Sequence, residues 1–247
     1  MTNHPTGNPV RQLPAWVMCF ALILPTGITW IYFVLLAQEP AFLQRSAYLM
    51  GKSLQCVLPL ICICGWQRRN LSFPTPRRDD LALGLLTGSV IAGAGWLGYR
   101  YAFSPAGGFA TATVALREKL VASQLDSRTS FIALACFYAL VHSLFEEYYW
   151  RWFVFAELKS RLSVSTAAII SGVGFAAHHV LVLAAYFQGL SWLTVFFSFS
   201  VAVGGFLWAA MYQRSGRLYG VWLSHLLVDA MIFFIGYDLL RSSFGGQ

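Results

Sequence analysis

The chain has 247 residues, 57% of them hydrophobic and 11% charged, with a net charge of +7 and a mean hydropathy of +0.61. A soluble domain carries about 25% charged and 45–50% apolar residues, so the composition excludes a water-soluble globular protein and points to an all-α, polytopic transmembrane bundle. The positive charge does not signal nucleic acid, because the basic residues are scattered through short loops rather than gathered in one stripe; attraction to anionic lipid headgroups is its modest consequence.

In chain order, apolar runs of the length a bilayer requires predict seven spans, at 16–37, 46–66, 81–103, 129–158, 164–186, 192–212 and 218–240. The first run is too long for a signal peptide and lacks a small-residue cleavage site, so it is expected to persist as a span. A polar loop with Arg68, Arg69, Pro74, Pro76, Arg77 and Arg78 separates the second span from the third. Between the third and fourth, a mixed stretch at 109–125 sets Val114, Leu116, Leu120, Val121 and Leu125 against Arg117, Glu118 and Lys119. It reads as a helix lying in the interface; an eighth half-span or a re-entrant segment within 104–128 is the alternative. The fourth span is long enough to tilt or to project beyond the bilayer.

With the N-terminus inside, the inner segments hold Arg11, Arg68, Arg69, Arg77, Arg78, Lys159, Arg161, Arg214 and Arg217, and the outer ones hold Arg45, Arg117, Lys119, Arg128 and Arg241. That bias favours N-in and C-out. The five cysteines (Cys19, Cys56, Cys62, Cys64 and Cys136) all fall in apolar runs and lack zinc-ligand spacing, so they read as small buried hydrophobes. Gly84, Gly88, Gly93, Gly95, Gly204 and Gly205 are expected to be points of close helix approach.

Three patterns inside the apolar runs carry the functional reading: Glu146-Glu147-Tyr148-Tyr149-Trp150-Arg151, Phe175-Ala176-Ala177-His178-His179 and His225-Leu226-Leu227-Val228-Asp229. A charge at mid-bilayer costs roughly 2.5–3.5 kcal/mol even on the lenient insertion scale, so these groups need a reason to be there. Glu147 and Arg151 are one helical turn apart and can neutralise each other. Glu146 points about 100° away, outside that pair, with His142 one turn before it as a hydrogen-bond partner. A buried carboxylate in that position is suited to general-base chemistry. Adjacent histidines diverge, so only one of His178 and His179 is expected to meet Glu146, and residue spacing does not choose between them. His225 and Asp229 are one turn apart, an arrangement in which the carboxylate fixes the imidazole's tautomer. Tyr148, Tyr149, Trp150 and Trp152 read as packing or interface anchors. Glu146, His179 and His225 could hold zinc with an open position, but H-E-x-x-H is absent, and water activation without a metal is preferred.

The series E-E-x-x-x-R, F-x-x-x-H and H-x-x-x-[N/D], each in its own hydrophobic segment, resembles the CPBP family, the CAAX proteases and bacteriocin-processing enzymes also called the Abi family. The resemblance spans roughly residues 129–240; residues 1–128 add no matching motif. It divides one continuous membrane domain into N-terminal spans, 1–128, and a catalytic helical core, 129–247. It implies a glutamate-dependent intramembrane endopeptidase in which Glu146 and His179 activate water and His225 contributes to the oxyanion site. Phe175 would position His179, with Glu147 and Arg151 structural or substrate-positioning. Asp229 stands where many members have Asn. An ionised Asp cannot donate to an oxyanion, so orientation of His225 is its expected role.

The reading is therefore peptide-bond hydrolysis in a membrane-associated protein or peptide by a multi-pass protein of a bacterial-type inner membrane, needing no cofactor, with zinc as the alternative. A prenylated-cysteine tail and a C-terminal sorting signal are both compatible substrates. Two rivals stand beside it. One is a scaffold or immunity protein that uses the same cluster for binding. The other is a proton-coupled transporter, against which no inverted repeat of interrupted helices is found.

Overall fold

The computed structural model describes residues 11–71 and 74–244, and all regular structure among them is helical. Seven helices are long and apolar enough to cross a membrane: α1 (Ala15–Leu35), α2 (Ala41–Trp66), α3 (Arg78–Phe103), α5 (Arg128–Leu158), α6 (Val164–Tyr186), α7 (Trp192–Ser215) and α8 (Leu218–Phe244). Each overlaps one of the seven expected spans. A shorter helix, α4 (Ala110–Ala122), occupies the mixed stretch between α3 and α5. The chain is an integral, multi-pass membrane protein.

The helix ends follow local chemistry. Ser127, Ser163 and Ser191 cap α5, α6 and α7 by accepting from the backbone N–H three residues on, as an N-cap serine does. Gly216 ends α7 in the left-handed conformation, at φ 65°, which costs glycine nothing. Pro14 and Pro40 precede α1 and α2 and supply the fixed φ that begins a helix.

The bundle is inverted relative to a soluble protein. Leu85, Leu86, Val90 and Leu97 of α3 and Val195 and Phe199 of α7 are exposed; a water-soluble monomer would not tolerate such apolar faces. In contrast, Tyr149, Trp150, Arg151, Phe153, Val154 and Phe155 are buried almost completely, so the second half of α5 runs through the centre, enclosed on all sides. The aromatics beside the glutamate pair are thus packing groups: Tyr149 donates to the Ala21 carbonyl (2.7 Å) and Tyr148 to that of Cys56 (3.2 Å).

Most of the expected glycine contacts are real. A Cβ on Gly84 would overlap the Gly220 backbone, one on Gly88 would lie 2.8 Å from Ser224 Cα, and one on Gly205 would lie 3.0 Å from Gly172 Cα. Backbone contact without an intervening side chain is what brings α3 against α8 and α7 against α6. Gly93 and Gly204 depart from the expectation: nothing lies within 4 Å of the Gly93 Cβ position, and that of Gly204 meets only the Trp208 ring of its own helix, at 3.7 Å. Gly84→Val is therefore expected to destabilise the protein by about 1–3 kcal/mol or more, and Gly93→Ala to leave it unchanged or slightly more stable. Melting temperatures of the two variants in one detergent check this; equal melting points would show that the α3–α8 approach does not need glycine. The cysteines also depart from the expectation. Only Cys62 is buried, whereas Cys19, Cys64 and Cys136 are exposed on the exterior. A thiol is apolar enough to face lipid, so an apolar run does not distinguish inside from outside.

Candidate active site

Helix α5 changes its winding around the carboxylates. Residues Phe137–His142 and Tyr148–Phe155 are π-helical, and the α-helical turn Ser143–Glu147 lies between them. Such wide turns often mark functional sites. Here they flank the two glutamates, both of which are buried, Glu147 completely.

Glu147 and Arg151 form the expected pair, with Nη1–Oε1 at 3.1 Å and both side chains essentially inaccessible. Arg151 also donates from Nη2 to the Gly205 carbonyl (3.3 Å). Its guanidinium sits over the rings of Phe175 (4.6 Å) and Trp208 (5.1 Å), a cation–π cradle. Sequence reasoning missed the next link, in which Oε1 of Glu147 lies 2.7 Å from Nδ1 of His225. One carboxylate oxygen therefore ties α5 to α8 as well as to Arg151. His225 stacks on Trp208 at 4.2 Å, and Trp208 is fixed by donating to Ser224 Oγ at 3.0 Å. The other nitrogen of His225, Nε2, faces Asp229 at 3.5 Å and Glu146 at 3.7 Å.

Glu146 stands in a ring of imidazoles. His178 Nε2 is 3.3 Å from its Oε1, and His142 Nε2 is 3.9 Å from the same oxygen. His179 is present too: ligand atoms of Glu146, His178 and His179 all lie within 4.8 Å of one another. Of the two adjacent histidines, His178 is the one in contact with Glu146, whereas the resemblance pointed to His179. Their rings are 4.1 Å apart, which keeps His179 beside the pair although the Cα–Cβ bonds diverge. His179 is held from behind, with Nδ1 2.9 Å from the Phe175 carbonyl oxygen and its ring against that of Phe175. Its Nδ1–H donates there and its Nε2 is left as the free acceptor.

Trp208 and Lys52 are the site-lining groups that motif reading did not single out. Lys52 of α2 lies close enough to Glu146 for their charges to interact, and its ammonium is 5.6 Å from the centre of the Tyr48 ring. A lysine in the middle of an apolar run is itself a functional flag, and that signal would have found it.

The expected residues Glu146, Glu147, Arg151, Phe175, His178, His179, His225 and Asp229 all lie inside one matched segment. Residues 128–231 match the family described as type II CAAX prenyl endopeptidase Rce1-like. The chain carries an Rce1-like domain. That match agrees with the CPBP resemblance and is to a family of CAAX-type proteases. No curated protein and no solved structure matches the chain.

The donor set of the Rce1-like site, one carboxylate and two imidazoles, has the composition of a catalytic zinc centre, and two observations bear on the fit. Tetrahedral ligands about 2.0–2.1 Å from zinc lie about 3.4 Å from one another; the 3.3 Å between Glu146 and His178 matches this, and His179 falls only within the wider 4.8 Å group. A ligating histidine usually donates its other N–H to an outer partner; His179 does so, but His178 Nδ1 is buried with no hydrogen-bond partner. The same groups, two imidazoles and a carboxylate, are also hydrogen-bond partners for a water molecule.

Proposed function

We propose that the Rce1-like protein hydrolyses a peptide bond in a membrane-associated protein or peptide, with Glu146 and His179 activating the attacking water. The observation that carries this reading is the cluster of Glu146 with two imidazoles, in which Glu146 and His178 are buried and His179 is partly exposed. Glu146 takes the proton as the water attacks the carbonyl carbon. His179 is the natural second contact because its free Nε2 is directed by the Phe175 carbonyl behind it. His178 holds the Glu146 carboxylate in place at 3.3 Å.

His225 then stabilises the oxyanion. Glu147 grips its Nδ1 and Asp229 lies 3.5 Å from its Nε2, so both carboxylates orient the ring. Asp229 thus serves as an orienting group. Proton return from Glu146 to the departing amine completes the reaction. The substrate class, a prenylated tail or a C-terminal sorting signal, and the N-in orientation in a bacterial-type inner membrane belong to this proposal. So does the assignment of the catalytic core to residues 129–247.

The test compares new peptide termini in host membranes carrying the wild type or Glu146→Gln at matched abundance. Termini found only with the wild type support the protease and identify its substrate; identical profiles, with candidate substrates expressed, shift the reading to a binding scaffold. Because the mechanism is metal-free, cleavage by purified enzyme should stay within about twofold after dialysis against a strong chelator. A loss restored by zinc would move His178 and His179 into a metal site.

A further inference from the structure

A cavity of about 480 Å³ is walled by the end of α1, the start of α2, α4 and the end of α6, and its charged lining residues, Arg45, Glu118 and Lys119, all precede the matched segment. Lys119 is half-buried there. Its ammonium lies 4.2 Å from the centre of the Tyr32 ring, 5.5 Å from that of Phe33 and 3.5 Å from Gln44 Oε1. Arg45 donates to the neutral Ser123 carbonyl at 3.1 Å. Among the described residues neither cation is within ion-pair distance of a carboxylate, Glu118 on the same wall included. Two cations against one carboxylate leave the cavity with a net positive charge that nothing in the bundle neutralises.

The depth of the cavity says what can neutralise it. Span α1 stops at Leu35, α2 starts at Ala41 and α6 ends at Tyr186, so the cavity lies where three spans leave the hydrocarbon and the headgroup layer begins. Tyr32, Phe33 and Tyr186 on its walls are the aromatic residues typical of that layer. The helices around it also turn apolar side chains outward: Leu35 on α1, Phe42 on α2, and Val114 and Val121 on α4 are exposed. Cationic groups at headgroup depth, with apolar surface beside them, match the two halves of a phospholipid, and basic pockets between spans are known to take anionic headgroups.

We infer that this cavity is a binding site for an anionic phospholipid, with the headgroup phosphate between Arg45 and Lys119 and the acyl chains along the exposed apolar faces of α1, α2 and α4. Arg45 supplies the planar fork that matches phosphate oxygens, and Lys119 a point charge. One phosphodiester balances the charge of the cavity. A zwitterionic headgroup brings its own cation and leaves the imbalance in place, so the site selects for net negative lipid. Free phosphate offers the same oxygens without the chains. A lipid held here would brace α2 against α4, which meet at this point through the Arg45–Ser123 and Lys119–Gln44 contacts. The site shares no residue with the candidate active site, and the inference stands whether or not the protein is a protease.

The test is native mass spectrometry of the whole chain in detergent, titrated with phosphatidylglycerol or with phosphatidylcholine of identical acyl chains. The first phosphatidylglycerol is expected to bind with a Kd lower by on the order of tenfold, the size of one charge-assisted contact. Arg45→Gln/Lys119→Gln should bring the two lipids to the same Kd, and Lys119→Arg should keep them apart. Glu118→Gln should widen the difference, because it removes the carboxylate that opposes the guest. Equal Kd for the two lipids in the wild type overturns the inference, a result that depends on no variant folding. A preference that survives in the double variant places the lipid elsewhere and also overturns it. Inorganic phosphate added in large excess over the lipid supplies the last arm: if it displaces phosphatidylglycerol, the cavity is a free-anion site and the inference fails, whereas retention of the lipid supports it.

Discussion

Glu146→Gln is expected to lower the single-turnover cleavage rate by about 10²–10⁴, the range for removing a general base, with little change in KM or in melting temperature. The amide is nearly isosteric with the carboxylate and can still hydrogen-bond to His178, now 3.3 Å away, and to the other imidazoles around it. What it loses is basicity. A binding scaffold would respond differently, because its affinity depends on shape and hydrogen bonds that the amide largely keeps. The substrate found by comparing membrane termini, assayed with purified enzyme in detergent or reconstituted bilayers, decides the matter. Turnover within a fewfold of the wild type would mean that Glu146 is not the base.

Arg151→Ala should produce the largest loss of stability, about 3–5 kcal/mol, since it strips the counter-charge from a carboxylate with no access to solvent. It also removes the donor to the Gly205 carbonyl and the cation between Phe175 and Trp208. Glu147→Gln/Arg151→Met removes both charges and fills a similar volume, so stability should recover substantially. Activity should not recover, because His225 Nδ1 then loses the carboxylate that holds it at 2.7 Å. Unfolding in mixed micelles of increasing denaturing-detergent content gives the stabilities, and cleavage rates give the other half. If Arg151→Ala costs less than about 1 kcal/mol, or if the double variant regains full turnover, the pair does not both support the bundle and orient His225.

These two expectations draw on different levels of the molecule. Seven long apolar runs needed no structure to be found, because hydrocarbon leaves a chain no other way to satisfy its backbone polar groups than helices or closed barrels. The pairs within one helix were legible for a similar reason: Glu147 with Arg151, His142 with Glu146, and His225 with Asp229 are each four residues apart, and helical periodicity brings such residues together whatever surrounds them.

Relations between helices were beyond that periodicity. Spacing along α6 said that His178 and His179 diverge but not which of them meets Glu146; the height and angle of α5, which only packing sets, put His178 in contact with it. The contact from Glu147 to His225 spans 78 positions, and nothing local to either residue encodes it. Lys52 joined the site, Gly93 was left without a close neighbour and three cysteines turned to the exterior for the same reason. The sequence by itself determined a membrane-spanning helical protein with acid–base groups buried in three of its spans, since hydropathy and helical spacing are local. Which groups face one another, and across what distance, was decided only by the tertiary structure, since helix rotation and close approach depend on the whole packed bundle.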